Sequence, residues 1–382
     1  MRELFISRGI RQTATGMMAV VSVLFLYDSG YSLVSIALLY AAYSAYKAVI
    51  AYPSATLLAR RGVKHGIVVS NLIMAPTLVI LSFLDELNAV ALIAYFALYG
   101  LSITTYRIAY LAGFSQVKNQ NNTGKELGLM SSLDKIAAAL APAIGGLVAT
   151  LIHPQAAMWL GATLFIVSAI PLMLSSEIKI PHNRLHFENF PWKLARPSLV
   201  ADGLVGFEAS LRLVILPLFL TTVVFASMEV SDAYASVGII TSIGLVVGII
   251  LPPILGYLLD RGAGRKIYLG STILTGIAHL TRPFFIAPWS ATAAGIASEA
   301  SAVSYEVSFL RGMIDMSDRT KNPVAYLLLL EVTHTLGSAI FFALTAIALH
   351  LLDVELGLTA SFWIAALATF GILGARFPIF KR

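Results

Sequence analysis

Eleven acidic and basic residues interrupt the long apolar runs of this sequence: Lys47, Arg107, Lys135, Arg212 and Arg282 against Asp134, Asp202, Glu208, Glu299, Glu306 and Glu331. His279 and His334 join them. A charge among apolar neighbours is unfavourable unless it is paired or hydrated, so each is a candidate to bind a charged solute or carry a proton. Helical phase sorts them. Glu299 and Glu306 lie two turns apart on one face with Thr292 and Gly295, separated by about 10 Å of rise. Glu331, His334, Thr335 and Ser338 form a second polar stripe. Glu208 and Arg212 are an i,i+4 pair. Tyr40, Tyr43 and Lys47 fall within an arc of about 60°. On another run Tyr95, Tyr99, Tyr106 and Tyr110 do likewise, flanked by Arg107.

These patterns read as a wet, aromatic-lined cavity. Glu299, Glu306 and Glu331 are the expected proton carriers, with His334 as partner, because burial and a nearby cation pull a carboxyl's proton affinity in opposite directions. Lys47, Arg107 and Arg212 are expected to bind a substrate anion or neutralise a carboxylate, with Tyr40, Tyr43 and Tyr99 on the wall. A structural reading stands beside each. Glu208 and Arg212 suit a structural pair, and Arg107 and Asp134, at similar depth, suit a pair of their own. Asp202 is expected near the cytoplasmic end, solvated. Arg282 is expected to snorkel outward, and His279 to pack. Glu299 and Glu306 read as unpaired acids on one buried face.

The elements that position these residues follow from composition. The chain has 382 residues, 58% hydrophobic and 12% charged. An ordinary soluble domain is about 25% charged, so a soluble enzyme and a disordered chain are both excluded. Twelve spans are predicted, at 9–27, 33–58, 67–84, 89–113, 127–152, 157–176, 198–226, 233–259, 267–287, 289–310, 323–349 and 357–376. Prolines within them (Pro53, Pro76, Pro142, Pro171, Pro217, Pro252, Pro253, Pro283) are expected to kink helices rather than end them. With Arg2, Arg8 and Arg11 before the first run and no small-residue cleavage site, that run is expected to be retained.

Charge then sets topology. Connections near 59–66, 114–126, 177–197, 260–266 and 311–322, with both tails, hold 21 of the 26 Lys and Arg, counting Arg11 and Arg376 with the tails. The intervening connections hold none. Such alternation places the basic side and both termini in the cytoplasm. The net charge of +6 is therefore a topology signal, and a nucleic-acid partner is not expected. The longest connection, 177–197, divides a first six-span unit, 1–176, from a second, 198–382. The halves rhyme: Asp28 and Glu229 follow the first span of each, and Arg60 and Arg261 the second, both pairs 201 positions apart. This points to a duplicated six-helix unit.

After the second span of each half comes a recurring loop. The second half reads Pro253-Ile-Leu-Gly256-Tyr-Leu-Leu-Asp260-Arg261-Gly-Ala-Gly264-Arg265-Lys266. The first reads Pro53-Ser-Ala55-Thr-Leu-Leu-Ala59-Arg60-Arg61-Gly62-Val-Lys64, with Ala55 and Ala59 where the other has Gly256 and Asp260. These resemble the Gly-x-x-x-Asp-Arg-x-Gly-Arg-Lys loop of the major facilitator superfamily. Ala141-Pro142-Ala-Ile-Gly145-Gly146 is similar to the Gly-Pro-x-x-Gly-Gly stretch of antiporters in that superfamily, with Ala141 at the first glycine. The resemblance implies an all-α polytopic fold, two pseudo-symmetric six-helix bundles around a central cavity, and alternating access. It also implies that the third, sixth, ninth and twelfth spans are peripheral. For the loops, two readings stand: a conformational latch built from Gly62, Lys64, Gly256, Asp260, Arg261 and Arg265, or topology alone.

The function expected is secondary active transport of a small organic solute, proton-coupled and outward, by a monomer in the cell membrane. The alternatives are uptake or uniport on the same scaffold, or a non-transporting receptor or assembly partner. No Walker loop, His-Glu-x-x-His or Gly-x-Ser-x-Gly motif is present and there is no cysteine, so no cofactor, metal or catalytic activity is expected.

Overall fold

Lipid offers no hydrogen-bond partner to a peptide group, so an apolar run closes its backbone bonds internally as a helix. The structure, a computed structural model, describes residues 2–117, 123–175, 187, 188, 190–320 and 322–381. Among the described residues there is no strand, and twelve long helices succeed one another. They are α1 Arg2–Asp28, α2 Leu33–Arg61, α3 Val63–Ser82, α4 Ala89–Val117, α5 Thr123–Leu151, α6 Pro154–Met173, α7 Trp192–Val224, α8 Val230–Leu258, α9 Gly264–Thr281, α10 Pro288–Arg319, α11 Pro323–Leu351 and α12 Val354–Ile372. Most of the predicted 177–197 linker lies outside the described residues.

Local chemistry fixes several ends. Ser32, Asn322 and Asp353 cap their helices by accepting from Ser35 N (3.1 Å), Ala325 N (3.2 Å) and Leu356 N (2.8 Å). The turns after α2 and α8 pass through Gly62 (φ 89°) and Gly262 (φ 87°), a backbone region that side chains disfavour. Pro142 restarts α5 after a break at Leu140. Pro217 sits between two wide π-type turns of α7, Leu211–Ile215 and Leu220–Val224, and Arg212 belongs to the first.

Pro283 departs from expectation. It does not kink a longer helix; α9 stops at Thr281 and Arg282–Phe284 forms a 3₁₀ turn, since proline has no N–H to continue the ladder. Helices also outrun their apolar segments. The first begins at Arg2, the seventh at Trp192, and the tenth reaches Arg319. Apolarity marks only where lipid touches, whereas a helix continues as long as its polar side chains find partners or water. Arg8 and Arg11, counted with a tail in the sequence, therefore stand inside α1.

Ten stretches are long and apolar enough to cross a membrane. One of them holds both α8 and α9, and α10, rich in Ser, Ala and Gly with two glutamates, is the polar exception. The fold is an all-helical, twelve-helix membrane architecture of two pseudo-symmetric six-helix bundles. In the first half α1 packs on α5 and α6, α3 on α4 and α6, and α2 on α4; in the second α7 packs on α11 and α12, α9 on α10 and α12, and α8 on α10. The extensive contacts between halves are α2 with α11 and α5 with α8. Along the latter seam backbones nearly touch: a Cβ on Gly128 or Gly238 would collide with the carbonyl oxygen of Pro252 or Pro142. The Pro142–Gly146 stretch thus lies at the seam between the halves.

Candidate functional site

Between the halves lies a cavity of about 430 Å³, lined from α1, α5, α7, α8 and α10. Its wall carries six of the charges found in the sequence, Asp134, Lys135, Arg212, Arg282, Glu299 and Glu306, together with Arg8. Apolar groups, among them Leu216, Leu220 and Ile240, supply much of the rest.

The charges are organised. Arg8 grips Asp134 with two parallel contacts of 2.5 Å, and its guanidinium lies 3.6 Å from the Tyr110 ring. Lys135, from the first half, pairs with Glu299 from the second. Arg212 lies 3.6 Å from the other Glu299 oxygen and is bonded to Glu306. Its Nε is 2.6 Å from Glu208 Oε1, a charge contact out of line for a hydrogen bond, while Nη2 donates to Oε2 at 3.2 Å. Glu208 is fully buried and also accepts from Tyr305 at 2.6 Å, with His279 Nε2 at 3.4 Å. Glu299 and Glu306 are therefore not unpaired, and Glu208–Arg212 belongs to a network of five charged residues with Glu299, Glu306 and Lys135.

A second cluster joins α2 and α4 to α7 and α11. Glu331 lies 3.6 Å from Lys47 and 3.1 Å from Arg107, with Thr104 at 3.5 Å. Arg107 also approaches Asp202 (3.9 Å), which faces His334 (3.7 Å). Two expectations change here. Arg107 does not pair with Asp134, which Arg8 occupies. Asp202 is not solvated but 1% exposed. Both differences follow from helix rotation about the axis, which depth along a sequence does not specify. In both clusters the first half contributes the cations that cross the interface, and the second half the acids.

The tyrosines take a different place from the one expected. Tyr40 and Tyr43 are buried, and Tyr43 stacks on Tyr99 (5.4 Å between centroids) while Tyr40 meets Phe342 of the other half (5.4 Å). This packed aromatic group shields Lys47 and lies outside the 430 Å³ cavity. Aromatic area buries better against its own kind than against water.

At the ends that carry the basic loops Asp260 crosses between halves and accepts from Gly124 N (3.0 Å) and Lys125 N (2.9 Å), the free N–H groups at the start of α5. A carboxylate there also meets the positive end of the helix dipole. Gly256 lies against the Gly124 carbonyl. The first-half loop differs: Lys64 donates to the carbonyls of Met173 and Ser175 in its own half. Arg261 lies 4.1 Å over the Tyr257 ring, and Arg265 is exposed. At the opposite ends Tyr234 donates to Asp28 (3.4 Å) and Thr150 to the Ser231 carbonyl (3.0 Å), again between halves.

Several residues escaped the sequence reading. Arg8 looked like a topological charge, as did Arg11, which is buried on Asn71 and the Tyr106 ring. Their i,i+3 spacing was the available signal. Arg282 does not snorkel outward; it is 3% exposed and faces the cavity. Among the described residues no group of His, Asp or Glu is arranged to hold a metal ion.

Comparison with known proteins bears on this geometry. A family profile described as Major Facilitator Superfamily matches residues 4–231. Among curated protein sequences there is no match. Solved structures with the same fold include the human organic anion transporter MFSD10 (TETRAN), at 11% identity and TM-score 0.71, covering 97% of this chain and 98% of that one. Another is a single-residue variant of the E. coli fucose:proton symporter FucP, at 16% identity and TM-score 0.66, covering 98% and 97%. FucP in an outward conformation gives 14% identity, TM-score 0.70 and the same coverage.

Proposed function

The chain belongs to the major facilitator superfamily, and on that premise we propose that it moves a small organic solute across the cell membrane by alternating access, coupled to protons. It is an integral membrane protein and a secondary transporter, not an enzyme. The proposed units are residues 1–176 and 198–382 with a cytoplasmic linker at 177–197, both termini cytoplasmic, acting as a monomer.

The observation that carries the coupling is the Lys135–Glu299 pair, which spans the two halves inside the membrane at the cavity wall. Rocking one half against the other must part these charges. A proton delivered to Glu299 through cavity water would weaken the pair first, and Arg212 and Glu306 stand next in line to exchange partners. Glu331, held by Lys47 and Arg107 with His334 nearby, is a second proposed carrier at the other inter-half contact, sealed while the halves are together and able to exchange its proton only once they separate. Asp260 with Gly256 supplies the proposed cytoplasmic latch, Gly62 and Gly262 the turns, and Lys64, Arg261 and Arg265 its basic surround. The proposed direction is outward, on the likeness of Ala141–Gly146 to antiporters.

Related folds carry both an organic anion and a sugar with a proton, so candidates from both classes belong in the test. A thermal-shift screen at two pH values selects stabilising solutes. Proteoliposomes loaded with a pH dye then receive each hit. Wild type should change the lumenal pH when solute moves, and Glu299→Gln should transport without that change. Unaltered proton movement in both Glu299→Gln and Glu306→Gln would remove these residues from the mechanism.

A further inference from the structure

Arg282 lies in the turn that ends α9, an outer helix, yet its side chain is 3% exposed and reaches the central cavity. There it lies against α10: a Cβ on Gly295 would sit 3.4 Å from the Arg282 guanidinium. The other basic residues of the cavity wall are matched: Arg8 to Asp134, Lys135 to Glu299, Arg212 to Glu208 and Glu306. Arg282 alone has neither an ion pair nor a side-chain hydrogen bond among the described residues, and its Nε is buried without an acceptor. Arg11 also lacks an acid, but Asn71 and two aromatic rings occupy it away from the wall.

A buried guanidinium left without an anion is unfavourable, and the planar fork matches the two oxygens of an oxyanion. The same cavity wall presents apolar Ile240, Leu245, Leu216 and Leu220. Resting on the transporter reading above, we infer that Arg282 is the recognition point for the cargo, which is an amphipathic organic oxyanion: a carboxylate or sulfonate on an apolar body small enough for a 430 Å³ cavity. Its position places that anion one turn above Glu299 on α10, so cargo charge and the coupling acid share one face.

The test uses purified protein and matched probes: naphthoate with naphthamide, naphthalenesulfonate with its sulfonamide, and sodium chloride as the inorganic control. Both acids should raise the melting temperature of wild type and the neutral partners should not. Arg282→Gln should lose that preference while melting no lower than wild type, because an unmatched buried charge has gone. Arg282→Lys should keep the preference in weakened form, which a folding defect would not produce. The inference fails if acid and amide stabilise equally, if neither acid stabilises, if chloride matches the acids, or if the preference survives in Arg282→Gln. Acid binding without flux in proteoliposomes would uphold Arg282 and overturn the transport reading instead.

Discussion

Under the ring packing of Tyr40, Tyr43 and Phe342, Glu331 meets Lys47 and Arg107; on the cavity wall, Glu299 meets Lys135 and Arg212. Both clusters join the halves, and both use first-half cations and second-half acids across the interface. They differ in access to water. The Glu331 side chain is 1% exposed, while Glu306, beside Glu299, keeps 34%. An acid in reach of water can change its proton and its partner while the halves stay together. A sealed acid changes partner only when they separate. Two ion clusters of similar composition thus suit opposite tasks, one to hold and one to switch.

Glu331→Gln tests the holding cluster and should have the largest effect. It leaves the largely buried Lys47 without its acid and Arg107 with only Asp202 at 3.9 Å, a loss of about 3–5 kcal/mol, visible as a large drop in the melting temperature of purified protein. A variant that melts like wild type would place Glu331 among the switching groups. Next, a double-mutant cycle of Lys135→Met and Glu299→Gln should give a coupling of about 1–2 kcal/mol, smaller because the cavity hydrates both partners. That coupling should fade as pH is lowered, while the same cycle on Lys47 and Glu331 should not. Asp260→Asn should cost about 1 kcal/mol through the weakened start of α5. The melting temperature of purified protein reads this loss directly. Smallest of all, Tyr99→Phe should change stability by under about 0.5 kcal/mol; a larger effect, or altered solute binding, would return the tyrosine stack to the transport path.

The fold was legible because lipid imposes one rule on every residue of a span. Apolar length announces the helix. The polar helix α10 was caught as the run 289–310 between turn-rich clusters, and Glu299 and Glu306 share a phase on it. Pairing was much less legible. Helical phase places Glu331 and His334 on one stripe, but says nothing of which helix faces it. Arg107 and Asp134 share a depth without meeting, and Asp202 looked solvated because its closeness to a span end hid the depth of the packing around it. Arg8, near the N-terminus, was mistaken for a surface charge because a helix extends beyond its apolar stretch. Arg282 needed the most: nothing in the sequence marks that the turn after an outer helix lays its side chain against Gly295 of α10 and on the cavity wall.

The meeting of α5 and α8 has a consequence for motion. Where Gly128 and Gly238 bring main chain against main chain, no side chain stands between the rods, and elsewhere on the join the short hydroxyls of Ser132, Ser242 and Thr150 bond across it. Turning one rod on the other there exchanges a few hydroxyl hydrogen bonds rather than prying apart large side chains, so the join works as a bearing. Torque raised by a change at the solute chamber is passed to both mouths of the protein rather than absorbed on the way.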